Sequence, residues 1–254
     1  MNPILFTIGP FEIRYYGILF ALAFFIGYFI LRKLGRGAKI SEDLIDTYFI
    51  YIFLGIVIGA RLGEAIFYDP AYYFSNPIEI LKTWHGGLSS HGAFIGGILA
   101  TMLFCRKYKV SFYRIADIIV IPVALGSVFI RLGNFINSEI VGRVTDVPWA
   151  MEFRGYEGLR HPVQIYEAIM NFAVFCSLFA IRRIRKIPEG FVFWSFVFIY
   201  SFLRFFIEFF KEYETLGPEY VLTIGQYLCI AFLAVSAYAI ARKYRRFVIN
   251  LISS

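Results

Sequence analysis

The chain has 254 residues, of which 59% are hydrophobic, 20% aromatic and 17% charged, and its formal net charge is +7. A soluble domain is nearer a quarter charged, so this composition argues against a soluble enzyme and for an all-α integral membrane protein. The basic residues flank apolar runs and form no continuous stripe, which argues against a nucleic-acid partner.

Seven apolar segments are each long enough, at about 20 residues, to cross a bilayer as helices. They lie near 15–31, 47–67, 86–105, 115–132, 163–181, 190–210 and 221–241. The third is the least apolar, because it opens with Gly86, Gly87, Ser89, Ser90 and His91. No basic region precedes the first segment, so a cleavable signal peptide is not expected. The first connection carries Arg32, Lys33, Arg36 and Lys39, and the third carries Arg106, Lys107, Lys109 and Arg114. The fifth carries Arg182, Arg183, Arg185 and Lys186, and the C-terminal tail carries Arg242, Lys243, Arg245 and Arg246. This alternation predicts an N-terminus outside and a C-terminus in the cytoplasm. The clusters themselves read as topology determinants and contacts for anionic lipid head groups. The chain is expected to be a single polytopic membrane domain over residues 1–254. Its one long connection, 133–162, is expected to form a small extracytoplasmic cap with a short hairpin between the fourth and fifth helices.

In that orientation the unusual polar residues collect at one level, the outer leaflet. Arg14, Tyr15 and Tyr16 open the first helix, and Arg61 and Glu64 lie in the outer half of the second. His91 lies in the outer third of the third helix, and Arg131 and Asn134 end the fourth. The run from Arg160 to Glu167 enters the fifth helix, and Tyr200, Arg204 and Glu208 share one face of the sixth at i, i+4 and i+8. Charge at the edge of hydrocarbon is costly and is read first as functional. The segment Arg131 to Arg143 is the densest case, with two arginines, two asparagines, a glutamate and two glycines. An arginine fork suits phosphate, the amides of Asn134 and Asn137 can orient an ester or a glycerol hydroxyl, and Glu139 can accept a proton.

Several of these features also have a purely structural reading. Arg204 with Glu208 can be an ion pair that joins helices, and Arg61 with Glu64 reads as one. The Gly55, Gly59, Gly63 spacing reads as close helix packing. His85 reads as an interfacial residue, and His161 as a cap or turn residue. Cys105, Cys176 and Cys229 each sit in an apolar run and read as small buried hydrophobes. No zinc spacing, serine elbow, phosphate-binding loop or zincin motif occurs, and neither a metal nor a cofactor is expected. The residues alone leave an interfacial enzyme acting on an anionic lipid beside a transporter of an anionic solute and a scaffold. The inner halves of the helices are nearly free of charge, which disfavours a continuous transport path.

Four blocks resemble the bacterial prolipoprotein diacylglyceryl transferase family. They are Tyr15-Tyr16-Gly17, Trp84 to Gly92, Arg131 to Gly142, and Arg160-His161-Pro162 with Gln164-Ile165-Tyr166-Glu167. A weaker match runs from Arg204 to Phe210. Ile130 and Ser90 stand where the family usually has glycine and an aromatic residue. The resemblance implies an enzyme of the bacterial cytoplasmic (inner) membrane whose site faces the outer leaflet. It would move diacylglyceryl from phosphatidylglycerol to the lipobox cysteine thiol of a prolipoprotein signal peptide and release glycerol phosphate. On this reading Arg131 and Arg204 hold the phosphate, Asn134 and Asn137 orient the head group, and Tyr16 positions the lipid. His91 or Glu139 removes the thiol proton, Glu208 orients Arg204, and Gly142 permits a tight turn.

Overall fold

The computed structural model describes residues 2–9, 11–82, 87–212 and 221–252. The described chain is mostly helical and divides into two compact units, residues 31–115 and residues 1–30 with 116–254. Among the described residues, six helices are long and apolar enough to cross a membrane. They are α1 (Tyr15–Gly37), α2 (Glu42–Gly63) with the π-helical turn Glu64–Tyr68, α5 (Phe112–Asn137), α6 (Val163–Arg182), α7 (Phe191–Ile207) with the 3-10 turn Glu208–Phe210, and α8 (Ile224–Lys243). Between them lie the short α3 (Pro70–Ser75), the 3-10 turn Pro77–Leu81 and α4 (Ser90–Tyr108), and α9 (Arg245–Ile252) follows α8. The chain is a multi-pass membrane protein. The third expected span, 86–105, falls on α4, a helix of 19 residues whose polar opening and basic last turn keep it outside the apolar six. A feature the hydropathy did not predict precedes α1. Strands β1 (Ile4–Ile8) and β2 (Phe11–Arg14) pair antiparallel, turning at Gly9 with a φ of 57°.

In the unit 31–115, α2 and α4 pack backbone to backbone. A methyl group on Gly59 would meet the Gly96 Cα at 2.7 Å, and one on Gly63 would meet the Gly92 Cα at 2.6 Å. The glycine spacing is therefore a packing device, as small-residue stripes in membrane helices usually are. Below it Tyr48 is fully buried, with its hydroxyl 3.0 Å from Thr101 Oγ1 and its ring against Phe104. Arg61 is buried in the last turn of α2. Its guanidinium donates to the carbonyl oxygens of Glu79, Ile80, Lys82 and Gly87, and it stacks on the Tyr73 ring at 4.9 Å. Five donors in one rigid fork make arginine suited to collecting loop carbonyls, so this residue organises the α2–α4 connection.

In the unit 1–30 with 116–254, helices α6, α7 and α8 pack in sequence around buried residues such as Val174, Leu178 and Val192. The start of α7 has no cap of its own, because its N-cap is Gly190. Asp117 of α5 supplies one. Its carboxylate accepts from the Gly190 N–H at 2.6 Å and the Phe193 N–H at 2.8 Å. Replacing Asp117 with Ala leaves two buried donors unmet, and we expect a loss of about 1–3 kcal/mol, read as a lower thermal midpoint in detergent. Asp117→Asn, which keeps one acceptor, should lose less.

Cys105 and Cys229 are buried, whereas Cys176 is exposed on α6. This corrects the expectation that all three are buried in protein. Lipid tails are as apolar as a core, so a small apolar residue facing them needs no protein cover.

Candidate active site

The segment 133–162 leaves α5 through two left-handed residues that are not glycine, Ser138 (φ 59°) and Ile140 (φ 55°). Such backbone costs about 1–3 kcal/mol per residue and persists only where the surroundings enforce it. The pair flanks Glu139 and turns its carboxylate back over the end of α5. There Glu139 Oε2 accepts from the Asn134 amide at 2.8 Å and Oε1 from the Asn137 amide at 3.1 Å. Gln164, fully buried on α6, donates to the Glu139 carbonyl at 2.7 Å. Beyond this turn the segment is short and bridged rather than a full hairpin. Arg160 pairs with both Val144 and Met151, and Phe153 is buried against the Phe135 ring.

The centre of the cluster is Glu167, on the second turn of α6 and 1% exposed. Its Oε2 lies 2.9 Å from Arg131 Nε. Its Oε1 lies 2.9 Å from Arg204 and 2.9 Å from Lys211 Nζ. Arg131 also donates to Asn134 Oδ1 at 3.3 Å, which joins the cations to the Asn134–Glu139–Asn137 chain. Arg204 reaches Glu208 at 2.7 Å, one helical turn on. Glu208 is in turn held by the Thr223 hydroxyl at 3.2 Å. Thr223 and Gln226 form the capping box that starts α8, and its next residue but one, Gly225, leaves the space that the Glu208 carboxylate fills. Three cations therefore face two buried carboxylates, and the side chain of Arg131, 22% exposed, is the most accessible of the three.

Lys211, 2% exposed, also ties the segment 133–162 to the end of α7. Its backbone pairs with Gly142, and its carbonyl accepts from Arg143 Nε at 2.9 Å. Gly142 does not have a left-handed φ, so the expected tight turn is not its reason. A methyl group there would meet the His161 carbonyl oxygen at 2.5 Å and Val163 Cγ2 at 2.6 Å, so glycine is required by close approach of two chains. His161 shares a hydrogen bond with the Tyr166 hydroxyl at 3.1 Å, and burial pushes its imidazole below the usual value. That hydroxyl accepts from Trp149 Nε1 at 2.6 Å. His161 thus links the end of the segment 133–162 to the first turn of α6.

The structure brings together Arg131, Asn134, Asn137, Glu139, Arg204 and Glu208. Tyr16 adjoins them, with its ring packed where a methyl group on Gly133 would fall at 2.6 Å. His91 belongs to the unit 31–115, where its Nδ1 lies 3.0 Å from the Tyr68 hydroxyl. Trp84, His85 and Gly86 lie outside the described residues.

A family model described as prolipoprotein diacylglyceryl transferase matches residues 3–242. The chain belongs to this family. A phosphatidylglycerol–prolipoprotein diacylglyceryl transferase of Tolumonas auensis is 42% identical over 235 residues, covering 91% of each chain. A protein of the same name from Geobacter sulfurreducens is 41% identical over 216 residues, 84% of this chain and 83% of its own. Another from Bacteroides fragilis is 38% identical over 253 residues, covering 93% of this chain and 91% of its own. In this member of the diacylglyceryl transferase family, Glu167 and Lys211 are the residues to which sequence reasoning assigned no role. Glu167 stood in a quoted block but has no basic neighbour one helical turn away in the sequence, and its cations come from other elements. Lys211 carried a weak signal. It is a cation beside a span end that the positive-inside pattern places outside.

Proposed function

We propose that this chain transfers the diacylglyceryl group of phosphatidylglycerol to the lipobox cysteine thiol of prolipoproteins, at the outer face of the bacterial cytoplasmic membrane. The observation that carries the reading is the buried cluster that gathers Arg131, Arg204 and Lys211 around Glu167 and Glu208. Two arginine forks held there can bind one phosphate, in a low-dielectric setting where their charge counts most. A site at one level of the bilayer suits a lipid whose head group lies at the interface. The seven-span topology with an outside N-terminus and the extracytoplasmic placement of residues 133–162 belong to the same reading.

The substrate sulfur, as thiolate, attacks the glycerol methylene that carries the phosphate. A C–S bond forms, the C–O bond to phosphate breaks, and glycerol phosphate leaves with the bonding pair. Arg131 and Arg204 bind the phosphate and stabilise the charge that collects on it. The Asn134 and Asn137 amides orient the glycerol, and the Tyr16 ring positions the lipid. Both Glu139 oxygens are already engaged by amide donors, which makes it an organiser of the asparagines. We assign the thiol proton to His91, whose Nδ1 lies 3.0 Å from the Tyr68 hydroxyl. His91→Asn should lower kcat/KM by about 10²–10⁴. A loss of that size in Glu139→Gln, with His91→Asn near wild type, would move the proton to Glu139.

The test of the reaction uses purified protein, phosphatidylglycerol vesicles and a lipobox peptide, followed by mass spectrometry. A diacylglyceryl adduct on the peptide, absent from a Cys→Ser peptide and accompanied by glycerol phosphate, supports the reading. Folded protein with both substrates and no adduct overturns it.

A further inference from the structure

We infer that Glu167 is the positioning residue of the phosphate clamp, setting the separation and orientation of the Arg131 and Arg204 guanidiniums. The inference rests on the phosphate reading given above. Arg131 and Arg204 come from different helices, α5 and α7, and nothing in the local backbone of either fixes where the two forks meet. The common reference is the Glu167 carboxylate of α6, with Arg131 on one oxygen and Arg204 on the other, each at 2.9 Å.

Glu167 is itself held in packed surroundings. Its backbone carbonyl accepts from the buried Asn171 amide at 2.7 Å, and Ala168 and Val163 beside it are buried. One turn earlier on the same helix, Gln164 holds the Glu139 carbonyl. One short stretch of α6 therefore sets both the cations and the asparagine–glutamate chain. An Arg131 side chain held through Nε keeps its terminal nitrogens for a second anion, and one of them already points to Asn134. Without Glu167 the two guanidiniums and Lys211 would repel one another, and long flexible side chains would separate. A phosphate would then have to gather them and bear that ordering cost itself.

The competing explanation is that Glu167 serves only to neutralise Lys211, which is buried and 2.9 Å away. Glu167→Gln alone cannot separate the two, because it strands Lys211 as well. The double variant Glu167→Gln/Lys211→Met removes both charges and can. If Glu167 positions the clamp, the double variant recovers most of the thermal midpoint lost in Glu167→Gln. Its kcat/KM for phosphatidylglycerol stays at least tenfold below wild type, through a raised KM for the lipid with the KM for peptide unchanged. Recovery of full kcat/KM in the double variant overturns the proposal. Glu167→Asp gives a second reading that does not depend on that variant folding. It keeps the charge but retracts the carboxylate by one methylene, so a neutralising role tolerates it and a positioning role does not. We expect at least a tenfold loss of kcat/KM at near wild-type stability, and wild-type turnover would overturn the proposal. Thermal stabilisation of each variant by phosphatidylglycerol vesicles, relative to phosphatidylcholine vesicles, reports the same alignment without turnover. Absence of transfer by the wild-type protein would count against the transferase reading, whereas the vesicle measurement would still decide the role of Glu167.

Discussion

Arg131→Ala should abolish diacylglyceryl transfer while leaving a folded protein in the membrane. Removing one donor that stabilises developing charge costs about 10²–10³ in kcat, and here the lipid phosphate also loses a ground-state contact, so kcat/KM should fall further. The protein tolerates the change because Glu167 keeps Arg204 and Lys211, so no carboxylate is left bare. Arg131→Lys should not rescue turnover. The guanidinium spans Glu167 through Nε and Asn134 through a terminal nitrogen, and a lysine ammonium cannot hold both and still face a phosphate. Arg204→Ala makes an informative contrast. It strips Glu208, 2% exposed, of its cation and leaves it with Thr223, so activity and stability should fall together. The comparison is a set of adduct yields by mass spectrometry beside thermal midpoints in the same detergent. Full turnover in Arg131→Ala would remove the clamp from the mechanism.

Gly59→Leu should prevent folded protein from accumulating. The added side chain would begin at a Cβ 2.7 Å from the Gly96 Cα and 3.0 Å from the Gly96 nitrogen, against main chain that cannot step aside. Even Gly59→Ala forces α2 and α4 apart, at a cost of about 1–3 kcal/mol. Close backbone approach is what joins membrane helices when lipid and side chain are equally apolar, so nothing replaces the lost contact. Gly37→Ala is the control, since a methyl group there meets nothing within 4 Å. Membrane abundance and the detergent thermal midpoint of the variants measure the effect. A Gly59→Leu protein with wild-type stability would show that the helices have another way to pack.

Arg61 shows how far residue type alone carries an argument. A buried arginine near Glu64 reads as an ion pair, but its fork collects the backbone carbonyls of residues 79, 80, 82 and 87, a set that no periodicity reveals. Gly142 is similar. Its motif position was evident, yet the reason for glycine is the His161 backbone, 19 residues on in the chain. Gly225 carried no signal at all, because its neighbour Glu208 arrives from the preceding helix.

The amino-acid sequence by itself determined that this is a helical membrane protein with its polar groups gathered near the ends of spans. Apolar length and charge placement are local properties of the chain, and water and lipid sort them without reference to a partner. The Arg131 to Gly142 block likewise carried its asparagines and glutamate within reach of one another along one helix end. Only the tertiary structure decided which carboxylate the cations share. Arg131, Arg204 and Lys211 are separated by up to 80 positions, and they meet because α5, α6 and the end of α7 converge on Glu167. A long charged side chain has many possible partners in a sequence, and helix packing leaves it one.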